Sequence, residues 1–178
     1  LFYIHPRLQN PAPALGLTLS PVQAKLAQES AKQLGLQDQI RFAEGDFTSV
    51  PLPSESLDAV YSVEAVCHAV DPEKYFKEAG RLLRKGGKLI LVDDYQAARP
   101  FSANENKWLK AYIDGWYVPG VRTVEQTIAF ANNHGLRLKK NEELTPHLRL
   151  RNLPDLLARM LLFLGEKLPI KHAIVPSM

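Results

Sequence analysis

The sequence predicts an α/β fold, in which a mostly parallel sheet carries helices on both faces. Two observations support this class. Short apolar runs alternate with helical patterns over roughly the first hundred residues, which is typical of strands joined by helical crossovers. The two clearest helical patterns each begin with an N-cap residue followed by proline, Ser20-Pro21 and Asp71-Pro72.

Composition favours one globular domain and argues against several other classes. The chain has 178 residues, 46% of them hydrophobic, so we expect residues 1–178 to form a single domain. The net charge of +3 comes from basic residues scattered among acidic ones, which does not indicate nucleic-acid binding. The apolar stretch Leu156–Leu164 is too short to span a membrane, and a single cysteine, Cys67, suits a reducing compartment, so we expect a cytoplasmic protein. The sequence does not indicate an oligomeric state.

The first half of the chain predicts two strands with a helix between them. Leu15–Leu19 is a short apolar run typical of a strand, and the helix that begins at Pro21 ends at Gly35, which tolerates a left-handed conformation. Ile40–Ala43 alternates in polarity and predicts the next strand. The apolar positions that recur at helical spacing between them are Val22, Leu26, Ala27, Ala31 and Leu34.

A second unit of strand, helix and strand is the most strongly marked part of the chain. Leu57–Val63 predicts a strand, and the helix after Asp71 is predicted to run to Gly86-Gly87. Lys88–Val92 is almost continuously apolar, as a strand covered on both faces would be.

Helical and strand patterns continue after residue 95. A capping box of Thr123 and Gln126 begins a helix that ends at Gly135. We expect Leu136–Leu138 and Leu144–Leu150 to form an antiparallel strand pair. Weaker patterns predict two further helical segments, the end of one at Leu1–Leu8 and another from Asn152.

Residues capable of chemistry follow each of the four predicted parallel strands. In such sheets ligands bind in the crevice at the carboxyl ends of the strands. The sequence therefore indicates four contributions to one site: Thr18–Gln23, Gly45–Phe47, Ser62–His68 and Asp93–Tyr95.

These segments, in this order and spacing, resemble the class I S-adenosylmethionine-dependent methyltransferases. GLTLSPVQ is similar to the second-strand motif of a small-molecule subgroup that includes tocopherol methyltransferases and cyclopropane fatty acid synthases. YSVEAVCHAVD resembles a segment of sterol C24-methyltransferases, and RLLRKGGKLILVDDY resembles the family's leucine-rich helix, glycine turn and fifth strand. The resemblance implies a Rossmann-like fold, S-adenosylmethionine as cofactor and a small, lipophilic acceptor.

The resemblance also implies which residues contact the cofactor. Thr18 and Gln23 would bond the ribose hydroxyls, and Asp46 would accept from the adenine amine. Two structural alternatives stay open: Thr18 as an ordinary strand residue beside a solvated Gln23, and Asp46 as a turn residue that bonds its own backbone. The remaining implied cofactor contacts are Leu19, Gly45, Phe47 and Ser62.

The acceptor side of the site is implied to lie at Ser62–His68. His68 is the candidate base, because its ordinary pKa lies near neutrality, and positioning of the acceptor is its alternative role. Glu64 could stabilise a cationic centre, and the two side chains would share a face if the loop begins a helical turn. Cys67 is expected to be small, buried and inert.

The segment after the last parallel strand supplies the remaining substrate candidates, Asp94 and Tyr95. Adjacent strand residues point to opposite sides and chelate poorly, so no metal is expected at Asp93-Asp94. Residues 96–122 are a possible substrate-covering segment. The aromatic positions at helical spacing, which would be either a buried helix face or part of that cover, are Trp108, Tyr112 and Trp116.

One expected motif does not occur in the sequence. The family's glycine-rich turn after its first strand, of the form Gly-x-Gly-x-Gly, is not found, so we expect a partial domain truncated just after that turn, which binds the cofactor weakly or not at all. A non-catalytic methyltransferase-like module is the alternative function. A nicotinamide-dependent oxidoreductase would instead need an acidic residue at Thr18.

Overall fold

The computed structural model describes residues 13–147 of the chain. The chain divides into two compact units, Leu1–Lys139 and Lys140–Met178. The helices and strands of the described part are β1 (Ala14–Thr18), α1 (Pro21–Gln33), β2 (Ile40–Glu44), β3 (Leu57–Val63), α2 (Pro72–Leu82), β4 (Leu83–Val92), α3 (Ala103–Trp116) and α4 (Val124–Asn133), with single 3₁₀ turns at Val66–His68 and Thr145–His147.

The first predicted unit is confirmed as a parallel strand pair with a helical crossover. β1 pairs with β2 from Ala14 opposite Ile40 to Thr18 opposite Glu44. Helix α1 begins at the N-cap Ser20, whose hydroxyl accepts from the Gln23 N–H. Its other end is closed because the backbone after Gly35 turns back to bond the last helical carbonyls.

The face of α1 that packs against the strands differs from the predicted apolar stripe. Ala24 and Ala31 are buried, whereas Val22 and Leu26 are 65% and 57% exposed. The inward face also carries Gln28, whose side-chain oxygen accepts from the Phe42 N–H at 2.9 Å. The small alanine side chains let the helix lie close to the strands. The larger apolar side chains therefore lie outside the contact.

The second unit is also a parallel pair, with α2 as its crossover. Asp71 caps α2 as predicted, but the helix ends at Leu82 and β4 begins at once, so the predicted stop at Gly86-Gly87 is wrong. The two glycines instead form an irregularity in the pairing of β3 with β4. Gly86 has φ +82°, and a Cβ on Gly87 would lie 2.9 Å from the Arg84 carbonyl oxygen.

The main hydrophobic core lies between α2, the β3–β4 pair and α4. Phe76 is 1% exposed and stacks against Phe130 of α4, with ring centroids 6.3 Å apart. Close approach of the two helices depends on Gly80, because a Cβ there would lie 2.9 Å from the His134 carbonyl oxygen. The other buried members of this core are Val66, Tyr75 and Ala79.

Strand β4 is covered on one face rather than on both. Leu89 and Leu91 pack against the core of α2, while Ile90 and Val92 are 49% and 38% exposed. The expectation of two covered faces is therefore wrong for the described part of the chain. Alternating side chains on the strand point to opposite sides, and the core of α2 covers one of them.

The expected single sheet is present as two parallel pairs. Within residues 13–147, β1–β2 and β3–β4 are not hydrogen-bonded to each other. The loop after β2 nevertheless contacts α2, since the Val50 N–H donates to the Glu78 carboxylate at 2.7 Å and Arg81 donates to the Val50 carbonyl at 3.0 Å. These contacts connect the two pairs through side chains rather than through a strand ladder.

The predicted C-terminal antiparallel pair is wrong where it can be compared. Leu136–Leu138 forms no strand: the Leu136 N–H closes the end of α4 by bonding the Ala131 carbonyl, and its side chain packs against the core of α2. Thr145–His147 is a 3₁₀ turn. The predictions for the rest of Leu144–Leu150, for Leu1–Leu8, for a helix from Asn152 and for Leu156–Leu164 lie outside the described residues.

Candidate functional site

The carboxyl ends of β1 and β2 bring the predicted ribose residues together. The Gly45 N–H donates to the Thr18 carbonyl at 2.9 Å, which joins the two strand ends. The Thr18 hydroxyl donates to the Gln23 side-chain oxygen at 2.9 Å, so the amide nitrogen of Gln23 keeps its two donors. Leu19, between them, is 70% exposed. Thr18 and Gln23 thus form one hydrogen-bonded pair at an open surface.

Asp46 follows β2 and forms the turn that was its structural alternative. One carboxylate oxygen, Oδ1, accepts from both the backbone N–H and the hydroxyl of Thr48 at 2.8 Å, and these bonds lower the pKa of Asp46. The other oxygen, Oδ2, makes no hydrogen bond within residues 13–147. The turn therefore holds an ionised carboxylate with one oxygen left for a donor.

Phe47 and Ser62 lie against Tyr75 of α2. The Phe47 ring meets the Tyr75 ring edge-on, with centroids 5.3 Å apart. The Ser62 hydroxyl is buried and bonded to the Tyr75 hydroxyl at 2.6 Å. Both side chains stabilise the core beneath the crevice, so any contact of Ser62 with a cofactor would involve its backbone.

Glu64 joins the carboxyl ends of β3 and β4 in an unusual conformation. Its N–H donates to the Val92 carbonyl at 2.8 Å, and its φ is +48°. A non-glycine residue in the left-handed region is strained, and such strain is found most often at functional sites. The side chain is exposed.

The short turn that carries His68 does not include Glu64. The 3₁₀ turn spans Val66–His68, so Glu64 lies before it and the expected alignment of Glu64 with His68 on a helical face is wrong. Positive φ at Glu64 redirects the backbone before the turn starts. The His68 imidazole is exposed and makes no hydrogen bond within residues 13–147.

Cys67 is held by the residue that follows β4. Its N–H donates to Asp93 Oδ2 at 3.1 Å. Burial, together with the Asp93 and Asp94 carboxylates, raises the pKa of the Cys67 thiol to about 12. The thiol is therefore protonated at neutral pH, which agrees with the expected inert role.

Helix α3 brings the aromatic candidates to the same end of β4. The Tyr112 hydroxyl donates to Asp94 Oδ2 at 2.5 Å, and burial with this carboxylate raises the pKa of Tyr112. Trp108 and Trp116 are 64% and 60% exposed, so they do not form a buried helix face in the described part of the chain. The carboxyl end of β4 also borders a cavity of about 20 Å³, whose lining includes Cys67, Asp93, Asp94, Tyr95 and Arg122.

Arg122 is a site residue that the sequence analysis missed. Its guanidinium donates to the Ala69 carbonyl at 2.7 Å and to the Val66 carbonyl at 3.4 Å, across the turn that carries His68. No spacing or motif marks it, because the contact joins residues more than fifty positions apart in the sequence. Only the folded backbone brings them together.

Comparison with known proteins assigns the family. Residues 3–91, half of the chain, match the family described as Methyltransferase domain. The chain belongs to this methyltransferase domain family. The match covers β1 to most of β4, and so includes three of the four strand ends of the candidate site.

Curated relatives carry the names of small-molecule methyltransferases. The chain is 31% identical over 139 residues to sterol 24-C-methyltransferase of Aspergillus fumigatus, covering 75% of this chain and 36% of that protein. It is 31% identical over 113 residues to a probable chloroplastic tocopherol O-methyltransferase of Oryza sativa subsp. japonica, covering 61% and 31%. The chain thus spans about a third of the length of these relatives.

Solved structures establish the Rossmann-like methyltransferase fold. Geranyl diphosphate methyltransferase in complex with S-adenosylmethionine superposes with a TM-score of 0.69 at 19% identity, covering 87% of this chain and 64% of that one. A putative sarcosine dimethylglycine methyltransferase from Galdieria sulphuraria gives a TM-score of 0.67 at 21% identity, covering 85% and 70%. At these identities the likeness concerns the fold.

Two further kinds of feature do not occur in the described residues. No helix within residues 13–147 is long and apolar enough to cross a membrane. In the same range, no group of three or more His, Cys, Asp and Glu side chains could hold a metal ion.

Proposed function

We propose that this chain is part of an S-adenosylmethionine-dependent methyltransferase that acts on a small, lipophilic acceptor. The observation that carries the proposal is the position of the candidate residues, which follow the carboxyl ends of all four strands in the two parallel pairs. Ligands of open α/β sheets bind at this edge. Membership of the methyltransferase domain family supports the same reaction.

The β1–β2 end is the proposed cofactor side. Gln23 would donate its amide N–H groups to the ribose hydroxyls, and Thr18, whose own hydroxyl hydrogen is donated to Gln23, would accept from them. Asp46 Oδ2 would accept from the adenine amine, while the turn at Thr48 holds the carboxylate in place. Gly45 would allow the cofactor to approach its backbone closely because it has no side chain. A Cβ at this position would also lie 3.2 Å from the Leu17 side chain. The cofactor, when bound, supplies an electrophilic methyl group.

The β3–β4 end is the proposed acceptor side. His68 is exposed and would accept a proton from an acceptor that carries one, or position an acceptor that carries none. Glu64 would stabilise positive charge at the reacting centre. Methyl transfer is an in-line displacement, so the chain's main contributions are alignment and exclusion of water.

The acceptor's chemistry follows from the side chains around the small cavity. Asp93 and Asp94 make this end acidic, and the Arg122 guanidinium is bound to backbone carbonyls. A negatively charged acceptor would therefore be disfavoured. Tyr95 and Tyr112 offer apolar rings, which suits a neutral, lipophilic molecule.

The cavity holds about one water molecule, so an acceptor needs the covering segment to move. We assign this role to residues 96–122, which include α3. Its exposed tryptophans, Trp108 and Trp116, would contact a lipophilic acceptor as the segment closes.

Transfer of a labelled methyl group tests the proposal directly. The full natural protein, incubated with methyl-labelled S-adenosylmethionine and a metabolite extract, should label an apolar product that can then be identified. Absence of any labelled product, together with unimpaired cofactor binding, would favour a non-catalytic methyltransferase-like module. A preference for nicotinamide dinucleotides over S-adenosylmethionine would contradict both.

Calorimetry on the full natural protein tests the cofactor side of the site. Gln23→Ala should weaken S-adenosylmethionine binding by about tenfold, because a hydrogen bond to the ligand is lost. Gln33→Ala removes the same exposed side chain from the same helix, away from the strand end, and should leave binding unchanged. Equal effects of the two changes would remove Gln23 from the cofactor site.

The isolated chain of residues 1–178 should bind the cofactor weakly or not at all, because its sequence contains no Gly-x-Gly-x-Gly turn. The full natural protein is the comparison. Equally tight binding by both would contradict this expectation.

A further inference from the structure

The two ends of the covering segment, residues 96–122, are joined by a backbone hydrogen bond, and we call this pair its base. The Gln96 N–H donates to the Arg122 carbonyl oxygen at 3.0 Å, so the first and last residues of the segment are hydrogen-bonded to each other. Helix α3 lies between these two residues along the chain. The position of Arg122 is therefore tied to the point where the chain leaves β4.

The Arg122 side chain extends from this base to the turn that carries His68. Its Nη2 donates to the Ala69 carbonyl at 2.7 Å and its Nη1 to the Val66 carbonyl at 3.4 Å. The Val66 carbonyl also accepts from the Ala69 N–H at 3.0 Å, which closes the turn, so the guanidinium adds a second bond to this carbonyl. Ala69 is 3% exposed, which shields the shorter of these bonds from solvent.

A second contact holds the same turn from the end of β4. Asp93 Oδ2 accepts from the Cys67 N–H at 3.1 Å. Asp93 thus binds an N–H group of the turn while Arg122 binds its carbonyls. The residue between these contacts is His68, which has no side-chain hydrogen bond of its own within residues 13–147.

We propose that Arg122 is a positioning residue, which fixes the backbone of the His68 turn and couples it to the covering segment. The inference rests on the proposed function for its effect on the reaction. Arginine suits this role because its planar fork spans two carbonyls, whereas the single ammonium of lysine reaches one. Movement of the base at Gln96 and Arg122 would release the turn, and closure would restore it.

Hydrogen exchange of the turn tests the contact independently of any reaction. In the full natural protein, Arg122→Met should speed amide exchange in a peptide containing the His68 and Ala69 N–H groups by about tenfold. Arg122→Lys should give an intermediate rate. Arg84→Met is the matched control, because Arg84 also donates to a backbone carbonyl, that of Glu55, but lies at the opposite end of β4. It should leave the exchange of this peptide unchanged.

Kinetics distinguish positioning from general stabilisation. Arg122→Met should lower kcat by about tenfold or more while the Kd for S-adenosylmethionine changes less than about twofold, and Arg122→Lys should recover part of the loss. Thermal unfolding of each variant shows whether it is folded. Arg84→Met should leave kcat unchanged.

Three results would overturn the inference: unchanged exchange in Arg122→Met, an equal change in Arg84→Met, or a parallel loss of cofactor affinity that indicates wider damage. Failure of the proposed function would look different. If the full natural protein bound no S-adenosylmethionine, the proposed reaction would be wrong, and so would the effect of Arg122 on kcat. The exchange result would still show whether Arg122 holds the turn.

Discussion

Helices α2 and α3 are both rich in aromatic residues, yet they use them in opposite ways. In α2, Tyr75 and Phe76 are 3% and 1% exposed and form the centre of the core. In α3, Trp108 and Trp116 are 64% and 60% exposed, and the half-buried Tyr112 reaches a carboxylate. The two aromatic residues of α2 are adjacent and belong to an apolar stripe, whereas those of α3 recur every four residues and form an aromatic stripe.

The difference shows that an aromatic stripe does not by itself predict a core. A buried stripe needs a partner of matching shape, and α2 has both the β3–β4 pair and α4. Helix α3 has no buried residue. Within residues 13–147 its stripe is not packed into a core, and the proposed role as an acceptor cover is tested by contrast with α2 in the predictions below, from the largest effect to the smallest.

Truncation of Phe76 should have the largest effect on stability. Phe76→Ala removes a ring that contacts Tyr75 and Phe130, and it should cost about 3 to 5 kcal/mol in the free energy of unfolding. Urea denaturation measures this cost. Trp116→Ala is the control in α3 and should cost less than about 1 kcal/mol. Similar costs for the two changes would break the contrast between the helices.

Tyr75→Phe should be destabilising at neutral pH and change the pH dependence of stability. Loss of the Tyr75 hydroxyl leaves the buried Ser62 hydroxyl without its partner, at a cost of about 1 to 3 kcal/mol. Burial raises the pKa of Tyr75 from 10.0 to about 12, so between these values the unfolded phenol ionises first and stability falls as pH rises. The Tyr75 contribution to this fall, about 3 kcal/mol, should be absent in the variant, while the contributions of Cys67 and Tyr112 remain.

The control for that prediction is Tyr117→Phe, which removes a hydroxyl from a ring that is 91% exposed. Its stability at pH 7 should stay within about 0.5 kcal/mol of the parent. If parent and Tyr75→Phe lost stability equally between pH 10 and 12, the buried hydroxyl pair would not be the cause.

Glu64→Gly should stabilise the protein while impairing the reaction. Glycine relieves the strain of φ +48°, which should raise the free energy of unfolding by about 0.5 to 1 kcal/mol after the loss of chain entropy. Removal of the carboxylate should lower kcat by about tenfold or more. Denaturation and turnover are measured on the same preparation.

A matched position separates strain from function. Glu55 has nearly the same backbone conformation, with φ +54°, and lies before β3 rather than after it. Glu55→Gly should give a similar gain in stability with unchanged kcat. Equal losses of activity in the two variants would show that the carboxylate of Glu64 has no special role.

Trp108→Ala should have the smallest effect on stability and a clear effect on the acceptor. The side chain is 64% exposed, so the free energy of unfolding should change by less than about 0.5 kcal/mol. The KM for a lipophilic acceptor should rise several-fold if α3 covers it, while cofactor affinity stays constant. Lys107→Ala, an exposed neighbour, should change neither, and an unchanged KM in Trp108→Ala would count against the cover.

Much of the secondary structure was predictable because its signals are local. The caps at Ser20 and Asp71, and the capping box of Thr123 with Gln126, all form as predicted. Each depends on side-chain to backbone bonds across three residues, and such bonds form wherever the helix does. The alternation of strand and helix predicted parallel strands, whose carboxyl ends lie at the same edge of each pair.

The errors have a common cause in longer-range packing. Gly86-Gly87 was taken as a helix stop, but pairing with β3 converts it into an irregularity of β4. Leu136–Leu138 alternates like a strand but has no partner strand within residues 13–147, and Leu136 instead closes the end of α4 and packs against the core of α2. A sequence pattern limits the secondary structures that a segment can form. Contacts with neighbouring strands and helices determine which of them it forms.

The sequence by itself determined the N-terminal caps of α1, α2 and α4, because each cap depends on contacts within a few residues, and the alternation of strand and helix indicated the parallel α/β class. The tertiary structure decided which residues meet. It paired Thr18 with Gln23, occupied Ser62 with Tyr75 and brought Arg122 to the His68 turn. These contacts, apart from Thr18 with Gln23, join residues far apart in the chain, and their geometry follows only from how the elements pack.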